Sequence, residues 1–409
     1  MIQRPKNKRV LFLIRAYNDL DHIAPVIWKM ASMGYGVDYL LTAGDFPDDY
    51  RIRVIEDAGA KRLNCRIISG YYERVRGRLK FSLLRRINDW GVALVFGCLF
   101  LRRHSTTCIV VEWAGADGRA QAPFFLRSAR IMGLPTIAIP HGYHTWLDNH
   151  FNETTQRAIN ETGKLPQLAD RNQFSLYVVQ SENIKRYCSD SGILEENLEV
   201  LGSARFCSEW SKINQRLCSS LGAKFSSHND QRILVVFFLN HWQYNVDRGR
   251  CLRLLKAIGA EDQVRLVIKG HTRGRDAGGL SLSEEKMLDQ LGNVLYPDEK
   301  IHSPDLVEQA DLVVVYGSSI CFEALRQGKV IVWPRFVCAN PTIFDEGGVV
   351  TVAESEKEVI ETIRAVAKGK KLFPSQALLD AFFYTHVEGD SAQATVLERY
   401  AKRIGTYLE

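Results

Sequence analysis

The sequence lacks most of the signatures that assign a chain to a class at sight. Its nine cysteines are odd in number, scattered between Cys65 and Cys338, and never spaced C-x-x-C. That excludes a zinc ribbon, a thioredoxin-type pair and a regular disulfide frame. Several lie inside apolar runs, among them Cys98, Cys108 and Cys321, as reduced thiols buried in a cytosolic protein do. No RNP-type, helix-turn-helix or zinc-finger pattern accompanies the formal charge of +6, which is mild for 409 residues, so nucleic acid is not expected as a partner. The basic N-terminus passes straight into an apolar strand without a small-residue cleavage site, and no signal peptide is expected. The apolar stretch 90–101 is too short to span a bilayer.

What is present is alternation. With 46% hydrophobic and 24% charged residues the chain reads as soluble and globular, and its length favours two domains. Buried β-branched runs at 10–14, 37–42, 108–112, 136–139, 177–180 and 198–201 alternate with helical patterns. The small and polar stretch 217–231 reads as a linker, and the alternation then restarts at 233–238, 264–269, 294–296, 312–316 and 349–352. Strands and helices at this spacing predict doubly wound parallel sheets. The expected fold class is α/β, with two Rossmann-like doubly wound domains facing a cleft. The expected boundaries are 1–221 for the first domain, 222–385 for the second and 386–409 for a C-terminal helix crossing back to the first.

Ligands of open α/β sheets bind at the carboxyl ends of strands, so polar loops at those ends carry the chemistry. The first is Arg15-Ala16-Tyr17-Asn18-Asp19, with His22 close behind. It lacks G-x-G-x-x-G, so no dinucleotide fingerprint is present there; Asp19 alternatively reads as a plain N-cap. The second and third are Glu112–Arg119 and Ile139-Pro140-His141-Gly142-Tyr143-His144. Glu112, Asp117 and His141 would lie near one another, and a carboxylate with a histidine can take a proton from an acceptor hydroxyl. The fourth, Lys269-Gly270-His271-Thr272-Arg273, groups three cationic side chains able to neutralise a diphosphate. The fifth joins the strand at 312–316 to a helix through Gly317-Ser318-Ser319, with Glu323 one turn later. Its N–H and hydroxyl groups suit an oxyanion, and Glu323 suits a ribose or sugar hydroxyl. His241 and Trp242 end the strand at 233–238 and could approach a base or sugar.

One segment serves no such site. Basic residues between Arg74 and Arg86 precede the Trp-bearing apolar run 90–101, which Arg102 and Arg103 close. It reads either as a core helix beside a solvated basic face or as a surface that lies against an anionic membrane.

His141-Gly142, Gly202-Ser203-Ala204-Arg205-Phe206, Lys269-Gly270-His271 and Ser318-Ser319-x-x-x-Glu323-Ala324-Leu325-x-x-Gly328-Lys329, in this order, resemble glycosyltransferases of the GT-B architecture that build bacterial capsules and other surface polysaccharides. Capsule-type Kdo transferases and CDP-glycerol glycerophosphotransferases look nearest, and non-hydrolysing UDP-N-acetylglucosamine 2-epimerases more distant. The resemblance covers most of residues 8–370. It implies a first domain that receives the acceptor, through Tyr17, Asn18 and His144, and a second that binds a nucleotide-activated sugar. Lys269, His271, Arg273, Ser318, Ser319, Glu323 and His241 would hold that donor. Asp117, as base or nucleophile, with His141 and Glu112 would lie close to the reacting carbon. Neither a cofactor nor a metal is expected, the donor being a co-substrate and the cations being built in. The expected acceptor is a surface polysaccharide or lipid-linked glycan; polyol-phosphate transfer from CDP-glycerol or CDP-ribitol and 2-epimerisation of a UDP-sugar are the alternatives. The expected location is the cytoplasm, at the inner face of the membrane if the segment 74–103 docks there.

Overall fold

The computed structural model describes residues 8–42, 49–78, 81–113, 121–218, 225, 231–270, 279–298, 301–391 and 394–409. The chain divides into two compact units. The first comprises Met1–Tyr143, Gln167–Trp210 and Tyr384–Glu409, and the second His144–Pro166 and Ser211–Phe383. The polypeptide thus enters the second unit briefly at 144–166, ahead of the boundary expected near 221. Most of the stretch expected as a linker lies outside the described residues.

In the first unit, seven parallel strands form one sheet. They are β1 (Arg9–Ile14), β2 (Gly36–Leu41), β3 (Lys61–Arg62), β4 (Thr106–Glu112), β5 (Thr136–Ile139), β6 (Leu176–Val179) and β7 (Leu198–Val200). Their spatial order is β3-β2-β1-β4-β5-β6-β7. Val10 to Ile14 are 0–1% exposed because β1 is covered on both faces, which is why it reads as an unbroken apolar run. The two-residue β3 is polar and exposed, and carries no such signal. Gly202 follows β7 with φ +87°, and a Cβ there would lie 2.5 Å from the Val387 carbonyl. This close approach lets Ser203 N–H donate to Val387 O at 2.8 Å. The C-terminal helix Val396–Gly405 docks beside it, with the Tyr400 hydroxyl donating to Gly202 O at 3.0 Å.

In the second unit, six parallel strands run in the order β10-β9-β8-β11-β12-β13. They are β8 (Ile233–Phe238), β9 (Val264–Lys269), β10 (Val294–Leu295), β11 (Leu312–Val315), β12 (Val330–Pro334) and β13 (Thr351–Ala353). Each unit is a Rossmann-like α/β domain. In each, the strand order reverses beside the first strand, at β1/β4 and at β8/β11, and such switch points leave a crevice at the carboxyl ends.

Candidate functional site

At the carboxyl edge of the first sheet, β1, β4 and β5 deliver four side chains to one place. The helix Tyr17–Ser32 starts after Ala16, so Asp19 is its third residue and not the N-cap. The Asp19 carboxylate turns back over the helix start, and one oxygen accepts from the backbone N–H of Arg15 and of Ala16, each at 2.9 Å. The other oxygen faces His141 Nδ1 at 3.0 Å and Arg15 Nη2 at 3.5 Å. Asp19 is 0% exposed. Burial opposes its ionisation, but the hydrogen bond from His141, the charges of His141 and Arg15 and the Ala16 N–H hold it below the usual carboxylate range.

Glu112, the last residue of β4, is buried and places Oε1 3.0 Å from Arg15 Nη1 and Oε2 3.6 Å from His141 Nδ1. His141 follows β5, and its side chain keeps 28% of its surface exposed. The Gln180 amide steadies this loop by donating to Gly142 O at 2.9 Å. An ionised carboxylate only accepts hydrogen bonds, so His141 Nδ1 carries the proton toward Asp19, and the neutral form of the ring has its lone pair at Nε2. The arrangement is a part-exposed histidine held by a buried carboxylate, with a second carboxylate and a guanidinium beside it. Asp19, Glu112 and His141 each place a potential ligand atom within 4.8 Å of the others. Arg15 ion-pairs with both carboxylates of this cluster.

Of the expected catalytic residues, Glu112 and His141 therefore meet, whereas Asp117 lies outside the described residues. Arg15 and Asp19 are the additions. Asp19 also forms a D-x-D with Asp21, but residues two apart on a helix diverge by about 200°. Asp21 instead pairs with Arg51 and, at 2.8 Å, with Arg205 of the Gly202–Phe206 motif. Tyr17 is exposed, with the Arg51 guanidinium 4.4 Å from its ring centroid, and Asn18 is half-buried. His22, one turn on from Asp19, is buried edge-on to Phe206, and burial followed by the Arg205 charge pushes its pKa down to about 3. Farther along the edge, a cavity of about 820 Å³ opens near the ends of β2 and β3. Arg62, Arg66 and Arg74 line it together with Asn64, Ser69 and Gln121.

In the second unit, β8, β9 and β11 bring their exits together. Asn240, buried after β8, donates to Tyr316 O at 3.1 Å and to Gly317 O at 2.8 Å, stitching across the switch point. Gly317 has φ +59°, and a Cβ there would fall 1.9 Å from Trp146 Cη2. The turn is thus roofed by Trp146, which stacks on Phe151 with centroids 6.3 Å apart. Ser318 and Ser319 are half-buried, and Ser318 Oγ accepts a long 3.4 Å contact from Ile320 N–H. Glu323 is buried on the helix Ile320–Arg326. Lys269 ends β9, 8% exposed, with Nζ donating to Asp298 O at 3.2 Å. His241 is half-buried beside Tyr244, ring centroids 5.8 Å apart. His271 and Arg273 lie outside the described residues. His144, expected to serve the first domain, belongs to the second unit, where it packs edge-on to Phe151 at 4.8 Å. Burial pushes its pKa down to about 4.

No family model matches the sequence, and no curated protein matches it. Solved structures match along almost the whole chain. The UDP-GlcNAc 2-epimerase of Neisseria meningitidis, bound to UDP-GlcNAc, is 13% identical, with TM-score 0.56 over 98% of this chain and 99% of that one. Anabaena HepE, in complex with UDP and glucose, is 16% identical, with TM-score 0.53 over 98% and 99%. A glycosyltransferase of Rickettsia africae is 9% identical, with TM-score 0.53 over 98% of each chain. At these identities the likeness establishes the fold: two Rossmann-like domains of the GT-B type, shared by glycosyltransferases and UDP-GlcNAc 2-epimerases.

Proposed function

We propose that the protein is a glycosyltransferase that moves a sugar from a CMP- or UDP-activated donor to a surface-polysaccharide or lipid-linked glycan acceptor on the cytoplasmic side of a membrane. The observation that carries the reading is the Asp19–His141 pair at the switch point of the first sheet. A buried ionised carboxylate that fixes the tautomer of a part-exposed histidine is an arrangement for general-base work. His141 Nε2 takes the acceptor hydroxyl proton as the oxygen attacks the anomeric carbon and the bond from that carbon to the phosphate oxygen breaks. Asp19 and Glu112 then stabilise the imidazolium. The second unit takes the nucleotide: Lys269 and the turn at Ser318 and Ser319 offer a cation and donors for its phosphates, and Glu323 an acceptor for hydroxyls. Arg62, Arg66 and Arg74 give the first unit a cationic cavity suited to an anionic acceptor.

Release of CMP or UDP from candidate donors, with and without glycan acceptors, tests this. Acceptor-dependent release that disappears in His141→Ala supports it; full turnover in that variant refutes it. Asp117→Asn, made in parallel, separates a base at that position from His141. A 2-epimerase reading is favoured by one observation, the second carboxylate 3.6 Å from His141, since proton removal and return need more than one acid–base group. UDP-sugar isomerisation without an acceptor would establish it instead.

A further inference from the structure

The segment Arg66–Arg103 holds nine Lys and Arg against Glu73 and Asp89. Its net +7 exceeds the +6 of the whole chain, so all other residues together carry −1. From Ser82 to Arg103 it is helical throughout, passing through a five-residue π stretch at Ala93–Gly97. Over Ser82–Gly97 the packing of this helix is inverted. Its inward stripe is Asp89, Ala93 and Gly97, all buried. Asp89 is held by the Tyr71 hydroxyl at 3.0 Å and by Arg76 at 3.2 Å. Ser128 donates to Ala93 O at 2.8 Å, and a Cβ on Gly97 would fall 2.0 Å from Ser128 Oγ. Over Ser82–Gly97 small residues thus seat the helix on the domain and the large apolar ones turn outward, whereas beyond it Phe100 and Leu101 enter the core.

Phe81 is 71% and Leu83 67% exposed, and Ile87, Trp90, Leu94 and Leu99 are exposed with them. Exposed Arg78, Arg86, Arg102 and Arg103 accompany them. No helix among the described residues is long and apolar enough to cross a membrane.

We infer that this face docks on the surface of an anionic lipid bilayer, with its apolar side chains at the headgroup–acyl boundary and its arginines on lipid phosphates. A contiguous exposed apolar patch of this kind needs a cover. A second copy of the chain would bring a like-charged +7 face against it, whereas an anionic surface is complementary to both features. The inference rests on the first unit alone and stands or falls independently of the transfer reaction.

The test is co-sedimentation of the full chain with vesicles of phosphatidylcholine alone or mixed with phosphatidylglycerol, at low and high salt. Binding to the mixed vesicles, at least roughly 10-fold above the neutral ones and weakened by salt, is expected. Arg78→Gln with Arg86→Gln removes two charges each worth about 1 kcal/mol at such a surface and should weaken binding roughly 30-fold. Ile87→Glu with Leu94→Glu should abolish it, circular dichroism confirming that the fold is kept because both side chains are exposed. Equal binding to neutral vesicles, no binding to either, or unchanged binding by both double variants overturns the inference. A lipid-free dimer that the glutamate variant dissolves, with no vesicle binding by the parent chain, assigns the face to a second copy and overturns it as well.

Discussion

Asp19→Asn should switch off His141 without displacing it. The carboxamide oxygen can keep the two 2.9 Å hydrogen bonds from Arg15 and Ala16 N–H. Its NH2 then occupies the place of the oxygen that faces His141 Nδ1 at 3.0 Å. An amide nitrogen only donates, so His141 must accept at Nδ1 and move its proton to Nε2. The lone pair that serves as base is thereby lost. General-base catalysis contributes about 10²–10⁴-fold, equivalent to about 3–5 kcal/mol of barrier, and the turnover number should fall by that factor with little change in KM. The ring tautomer gives a readout that needs no substrate. In ¹⁵N NMR spectra His141 should be protonated at Nδ1 in the parent protein and at Nε2 in the variant. An Nε2-protonated His141 in the parent, or an unchanged tautomer in the variant, would refute the reasoning whatever the activity. His141→Ala provides the lower bound, and the two variants should lose activity to within about an order of magnitude of each other if Asp19 acts through the ring.

His22 should make the first unit acid-sensitive. Below its ordinary 6.5 the unfolded chain binds a proton at His22, whereas the folded chain stays neutral until about 3, so stability falls through that window. At pH 5 the loss is about 2 kcal/mol; urea unfolding at neutral pH and pH 5 should show that much less pH dependence in His22→Gln, and equal slopes would count against burial as the cause. Gly317→Ala should destabilise the second unit by about 2–5 kcal/mol, combining a left-handed backbone with an overpacked contact at Trp146. An unchanged melting temperature would contradict the close approach. Lys269→Met should weaken UDP or CMP binding by roughly 10–150-fold, the worth of a hydrogen bond to a charged group at about 1.5–3 kcal/mol. Isothermal titration checks it, and an unaltered Kd would remove Lys269 from the phosphate site.

How legible the molecule is follows from where each signal resides. Strands β1, β4, β8, β9 and β11 stand out because a parallel strand covered on both faces must be apolar along its length, and such runs need no tertiary information. The exposed pair Lys61–Arg62, which adds β3 at the edge, has no pattern to read. Loops after those strands are equally legible as places for chemistry, which is how His141, Glu112, Lys269 and the turn at Ser318 and Ser319 can be named in advance. Asp19 is different: as a short acid beside a helix start it looks like a cap, and only the fold brings it against the imidazole of a residue 122 positions away.

By itself, then, the amino-acid sequence determined two Rossmann-like domains and the loops on which a site must lie, because burial and turn chemistry are written locally. The tertiary structure decided which side chains meet. It gave His141 to Asp19, Asp21 to Arg51 and Arg205, and His144 to the second unit. It also turned Leu83, Ile87, Trp90 and Leu94 outward, because the surface at Ser128 leaves room only for small residues at Ala93 and Gly97 on the inner face. Those outcomes depend on what each helix face packs against, a property that periodicity does not encode.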